Sequence, residues 1–170
     1  MNQIMLDSLN QQINEEMYSA YLYLSMVSYF NSVNLPGAAH WMMIQYKEEL
    51  MHAEKIMNFI MERGSNFKLT QIKEPTNYWS SPLDAFKAAL NHEKHITSCI
   101  NQLYEVALRE KDYSTVQFLQ WFVTEQVEEE ANAMQIIDDF ERIANDPKGI
   151  FMIDRELSQR PSAESEASSE

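Results

Sequence analysis

Four stretches of the chain, roughly residues 4–32, 36–63, 82–109 and 113–143, repeat apolar side chains at alternating steps of three and four. Each predicts a long helix with one apolar stripe, and four such stripes are buried together only when the helices pack as a bundle. The joints between them differ. Asn34-Leu35-Pro36-Gly37 and Lys111-Asp112 are tight and set neighbouring helices antiparallel, whereas a long segment from Gly64 to Ser81, carrying Pro75, joins the second stretch to the third. A connection of about 18 residues stretches to about 60 Å, more than the ~40 Å length of a helix of about 27 residues, so it can return along the whole bundle. The expected fold is all-α: an up-down-down-up four-helix bundle with one long crossover. Asp146 and Pro147 read as the cap and first residue of a short fifth C-terminal helix ending near Leu157. The domain is expected over residues 1–157, followed by a disordered tail rich in Ser and Glu over 158–170.

Composition agrees and excludes several classes. Only 3 glycines and 5 prolines in 170 residues favour helices over turn-rich β structure. The single cysteine, Cys99, leaves no disulfide framework and no four-cysteine metal site, and it fits a reducing, cytoplasmic setting. No apolar run approaches the ~18 residues needed to span a bilayer, so no membrane partner is expected. A formal charge of −13 argues against nucleic acid, which needs clustered Lys and Arg, and favours cations or plain solubility.

The stripes carry a repeated flaw. The first reads Leu6, Leu9, Ile13, Glu16, Ala20, Tyr23, Val27, Phe30, and the second Met42, Tyr46, Glu49, Ala53, Ile56, Ile60. The third reads Leu83, Phe86, Leu90, Glu93, Thr97, Ile100, Tyr104, Ala107, and the fourth Leu119, Phe122, Gln126, Glu129, Ala133, Ile136, Phe140, Ile143. Each is apolar except for a mid-helix glutamate, and in such a bundle the helix middles share one level. Four carboxylates should therefore converge, with small residues (Ala20, Ala53, Thr97, Ala133) four positions beyond. Burying ionised carboxylates costs several kcal/mol each, and no Lys or Arg lies on any stripe to neutralise them. Two divalent cations balance four carboxylates, and oxygen ligands suit iron, manganese or magnesium.

His52 stands three residues after Glu49 on nearly the same face, and its imidazole narrows the metal toward iron, manganese or zinc. Gln126, three before Glu129, either ligates or only hydrogen-bonds. Tyr23, two turns beyond Glu16, reaches the cluster as a reactive group or as a core tyrosine bonded to a glutamate. Glu48, Glu125 and Glu128 flank the stripes, either as a solvated acidic face or as a patch for a third, weaker cation. His40, His92 and His95 are expected at the surface, and Trp121 and the 11 methionines as packing.

Three motifs, NEEMYSAYLYL, EELMHAEK and FLQWFVTEQVEEE, occur in order, with Glu93 between the last two. Over roughly residues 1–157 the chain resembles the bacterial non-haem ferritins. That resemblance implies a ferritin-like di-iron domain in which Glu16, Glu49 and His52 hold a first iron, with Glu49 bridging to a second held by Glu93 and Glu129 beside Gln126. It implies a third iron site at Glu48, Glu125, Glu128 and Glu129, and a conserved tyrosine at Tyr23. It further implies ferroxidase chemistry on Fe(II) with dioxygen or hydrogen peroxide, and iron storage and detoxification in a homo-oligomeric shell of 24 subunits. Bacterioferritins carry a second E-x-x-H where Gln126 and Glu129 stand and a haem-ligating methionine where Leu50 stands, so no haem is expected. Two other readings stay open from the sequence: a di-iron or di-manganese oxidase acting on an organic substrate, and a non-catalytic helical scaffold.

Overall fold

Five helices form in the computed structural model: α1 (Gln3–Ser32), α2 (Pro36–Glu62), α3 (Pro82–Arg109), α4 (Tyr113–Ile143) and α5 (Pro147–Leu157). The structure describes residues 1–143 and 146–161, and these contain no strand. Local chemistry sets most of the ends. Asn2, Ser81 and Asp146 each accept a hydrogen bond from a backbone N–H of the first turn that follows, and the Asp112 carboxylate does the same for Thr115. Asn34, Gly64 and Lys111 take positive φ just beyond the ends of α1, α2 and α3. At each, the next N–H bonds back to a carbonyl of the last turn, as Leu35 does to Phe30, Ser65 to Ile60 and Asp112 to Ala107.

The start of α2 is capped from a distance. Leu35 precedes it and has no side chain able to cap, so the Asp154 carboxylate of α5 accepts from the Ala38 N–H at 2.9 Å. Gly37 permits this approach, because a Cβ there would lie 1.7 Å from the Asp154 carbonyl oxygen.

The crossover shows the topology directly. The Asn10 side chain accepts from the Lys68 N–H, Asn14 donates to Thr70 and Gln71, and Ser25 donates to Thr76 and Asn77. The loop thus climbs α1 from its N-terminal to its C-terminal half, about 22 Å at 1.5 Å per residue. It delivers α3 to the end where α2 began, which makes α2 and α3 parallel and the bundle up-down-down-up.

Apolar packing falls into two halves. One gathers Met5, Leu9, Ile13, Ile56, Ile60, Ile96, Ile100, Leu119 and Phe122. The other gathers Tyr23, Met26, Phe30, Trp41, Met42, Phe86, Ile136 and Phe140, and it receives Ile153 and Leu157 from α5. Along every long helix the glutamate lies between the two halves. The stripes drift slightly from the strict repeat: Met5, Met26 and Gln45 are buried where Leu6, Val27 and Tyr46 are only half-buried. An α-helix turns once per 3.6 residues, so a repeat of 3.5 slips by about 20° each heptad.

Of the expected tail, residues 162–170 lie outside those described. Ser158 to Pro161 are placed, and Arg160 packs back on the bundle with its guanidinium 4.5 Å above the Trp41 ring.

Candidate metal centre

The layer between the apolar halves is acidic and dry. Glu16, Glu49, Glu93 and Glu129, one from each long helix, have exposures of 1, 2, 1 and 4 %. Ligand atoms of Glu16, Glu49 and His52 lie within 4.8 Å of one another, and so do those of His52, Glu125 and Glu129. His52 therefore joins two carboxylate groups, with its Nδ1 3.4 Å from Glu49 Oε2. Its ring meets Trp121 edge-on at 5.3 Å, and the Lys55 ammonium lies 4.3 Å from the centre of that indole.

Burial and mutual repulsion govern these acids. Burial, then the Glu49 charge, pushes the Glu16 carboxyl up to about 8. Burial, then Glu129, does the same for Glu93, also to about 8. Glu49, facing Glu93 and Glu129 in the same dry layer, is pushed well above the ordinary carboxylate range by burial and then by those charges. Among the described residues no lysine or arginine forms an ion pair with any of the four. Amides and a phenol supply what donors there are. Gln12 donates to Glu16 at 2.8 Å, Gln45 to Glu129 at 2.8 Å, and Gln126 to Glu93 at 3.2 Å. Tyr23, fully buried, donates its hydroxyl proton to Glu93. Glu16 Oε2 is buried with no hydrogen-bond partner among the described residues. An orphaned carboxylate oxygen facing other carboxylates is what a cation would satisfy, so the donor set fits metal ions of the iron, manganese or zinc type.

Gln126, expected either to ligate or to hydrogen-bond, turns its amide nitrogen to the Glu93 carboxylate and carbonyl and to Thr97. In that pose it is a hydrogen-bond donor. Glu48, Glu125, Glu128 and Glu129 line one groove of about 260 Å³ with Asn132, Arg160 and Pro161. Glu128 is exposed, while Glu48 and Glu125 are half-buried. Burial pushes the Glu48 carboxyl up to about 7, against the pull of Arg160. Arg160 donates to Glu48 at 2.7 Å and to the side-chain amide oxygen of Gln45, so a cation reaches the edge of the layer from beyond α5.

Gln12, Gln45 and Arg160 were not readable as site residues from the stripes. The glutamines had one signal, since each lies four residues before a stripe glutamate and so shares its face. His92, expected at the surface, is buried at 9 % exposure, and burial lowers its imidazole to about 4. Its Nε2 lies 2.7 Å from Ser19 Oγ, which already donates to the Glu15 carbonyl, so Nε2 carries the proton. His40 and His95 are exposed as expected.

Comparison with known proteins gives the family and the fold. The Ferritin-like domain family matches residues 6–143. A bacterial non-heme ferritin of Bacteroides fragilis (strain 638R) is 42 % identical over 154 residues, which is 91 % of this chain and 96 % of that protein. A bacterial non-heme ferritin of Staphylococcus saprophyticus is 37 % identical over 166 residues, 98 % of this chain and 99 % of that protein. An open pore ferritin from the hyperthermophilic archaeon Archaeoglobus fulgidus superimposes with a TM-score of 0.94 at 48 % identity, covering 95 % of this chain and 99 % of that one. A form of the same archaeal ferritin engineered to be closed gives 0.95 at 48 % identity, over 96 % and 99 %. With a family match spanning most of its length and relatives of this identity along nearly all of it, the chain belongs to the ferritin family of ferritin-like domains.

Proposed function

We propose that the protein stores iron, and that it oxidises Fe(II) to Fe(III) at the layer of buried acids before the product enters a ferric mineral. The observation that carries this is the convergence of four buried carboxylates and one imidazole, from four helices, with no protein cation paired to them. The names of the relatives support the storage role.

Fe(II) is the substrate. Glu16, Glu49 and His52 are suited to take one ion, and Glu49, Glu93 and Glu129 a second, each carboxylate giving up its proton as the ion arrives. Two ions surrender one electron each, and dioxygen takes both with two protons and leaves as hydrogen peroxide. Peroxide as oxidant takes two electrons and two protons and leaves as water. Hard carboxylate oxygens favour the ferric product. Tyr23 and Gln126 hold the Glu93 carboxylate in place by hydrogen bonds. Glu48, Glu125, Glu128 and Glu129 offer a third ion a half-buried, weaker site. A shell of 24 copies in the cytoplasm, its contacts lined partly by α5, is the assembly that goes with this reading.

The test is aerobic stopped-flow oxidation of Fe(II) by Glu16→Ala and His52→Ala. Both should remain folded and assembled and oxidise iron at least about tenfold more slowly, since each removes a direct ligand. Unchanged rates in both variants would remove the proposed centre. Iron-edge anomalous scattering from a crystal soaked anaerobically with Fe(II) locates the ions directly.

A further inference from the structure

On the face where α1 meets α3, three donors of different chemistry converge outside the acidic layer. Glu15 precedes Glu16 by one residue and so points about 100° away from it around α1. His95 and Cys99 lie four apart on one face of α3. His95 Nε2 is 3.1 Å from Glu15 Oε2 and 3.5 Å from Cys99 Sγ, and the three atoms lie within 4.8 Å of one another.

An ion pair accounts for the carboxylate and the imidazole alone. It leaves the sulfur at most a weak, shared acceptor of the same N–H, because a nitrogen that donates its proton to Glu15 cannot also accept one from the Cys99 thiol. A metal ion would engage all three donors fully. Tetrahedral bonds of about 2.0 Å to oxygen and nitrogen and about 2.3 Å to sulfur put the nitrogen roughly 3.3 Å from the oxygen and roughly 3.5 Å from the sulfur. The two separations seen are within a few tenths of an ångström of these. The geometry points to a second metal site, in which Glu15, His95 and Cys99 bind one divalent ion of the zinc class at the α1–α3 surface.

The donor set selects the ion. One sulfur, one imidazole and one carboxylate suit zinc or cobalt(II), exclude magnesium and calcium, and hold Fe(II) less tightly. Three protein ligands leave a fourth position open to water, and a groove of about 140 Å³ lined by Glu15 and Cys99 with Ser8, Gln11, Gln12 and Gln102 leads to it. The site shares no ligand with the acidic layer. Gln12, 3 % exposed, stands between them with its amide committed to Glu16. Burial, then Glu15 and Glu16, pushes the Cys99 thiol up to about 11, so the sulfur stays protonated until a cation displaces its proton.

Cobalt(II) tests this in the full-length assembled protein. The chain has one cysteine, and a sulfur-to-cobalt charge-transfer band in the near ultraviolet can arise only there. The band should saturate at the intensity of one sulfur-bound cobalt per chain in the wild type and be absent in Cys99→Ser. It should need at least about tenfold more cobalt in His95→Ala, which loses a ligand whose ring is mostly exposed. Zinc should bleach it and magnesium should not. No band in the wild type at saturating cobalt, or an undiminished band in both His95→Ala and Glu15→Gln, overturns the proposal. Alkylation of Cys99 by iodoacetamide gives a second readout: zinc in excess of what the acidic layer takes up should slow it in the wild type and leave His95→Ala unprotected. Equal protection of the two overturns the proposal as well.

Discussion

Arg160, three residues beyond the end of α5, donates to the Glu48 carboxylate at 2.7 Å. Its guanidinium also bonds the Oε1 of the Gln45 side-chain amide, and the Nε2 of that amide donates to Glu129, so one basic residue is linked to the acidic groove and to the buried layer together. Both partners of the ion pair are partly screened, at 18 and 19 % exposure. A third cation entering the groove has to displace this charge. Arg160→Ala should therefore bind a third cation more tightly, by about fivefold for a partly screened pair worth on the order of 1 kcal/mol. Terbium(III) luminescence measures it. Weaker binding in the variant would mean that Arg160 holds Glu48 in a ligating pose instead of competing for it.

The raised carboxyls predict how the metal-free protein responds to pH. Glu16 and Glu93 titrate near 8 in the fold and near 4.5 when unfolded. Between these values the folded state holds more protons, so its stability is greatest at low pH and falls as pH rises through about 8, by at most about 1.4 kcal/mol per pH unit for each proton. His92 acts in the opposite sense at lower pH. Its imidazole titrates near 4 in the fold and near 6.5 unfolded, so it lowers stability as pH falls from 6.5 toward 4. Above pH 6.5 only the carboxyl effect remains. With chelator present, the melting temperature should fall from pH 6.5 to 8.5, and Glu16→Gln should flatten the slope. Zinc or Fe(II) added anaerobically near pH 7 should release protons into a weakly buffered indicator solution. A melting temperature that fails to fall over this window would mean that the acids are already ionised without metal.

Tyr23 is fully buried and gives Glu93 one of its few donors. Tyr23→Phe keeps the ring and removes only the hydroxyl, leaving a buried carboxyl oxygen unpaired at a cost of about 1–3 kcal/mol. Urea unfolding of the metal-free variant should show that loss. The bond also holds the Glu93 carboxyl lower than burial alone would, so its removal should make Glu93 harder to deprotonate and slow Fe(II) oxidation several-fold. Equal stability and equal rate would reduce Tyr23 to packing.

The parts of this design that the sequence revealed are those with a period. Stripes at steps of three and four locate all four long helices, and a glutamate at the middle of each stripe locates the layer, because burial on a helix repeats with the turn. Contacts between distant segments have no such signature. Arg160 reads as part of a polar tail, yet it meets a residue 112 positions earlier. Gln45 reads as an ordinary polar neighbour of a stripe and is fully buried, because the stripe drifts. His92 lies beside Glu93, and nothing local distinguishes a solvated imidazole from one packed against Tyr18 and bonded to Ser19.

The junction of α2 and α5 carries the strongest steric prediction. Asp154 satisfies an N–H at the start of α2 and places negative charge at the positive end of that helix. Asp154→Ala removes this cap alone and should cost about 1 kcal/mol. Gly37→Ala does more, since its Cβ would lie 1.7 Å from the Asp154 carbonyl oxygen, a backbone atom that no rotamer change can move aside. The α5 backbone has to shift, and Ile153, Leu157 and Arg160 lose their seats on the bundle together. Trypsin should then cut after Arg155 at least about tenfold faster in Gly37→Ala than in the wild type, with Asp154→Ala between them, because cleavage tracks the population of the opened segment. Arg160 leaves Glu48 in the same event, so Gly37→Ala should reproduce the third-cation affinity of Arg160→Ala. Cleavage at the wild-type rate would show that α5 accommodates the methyl group without undocking.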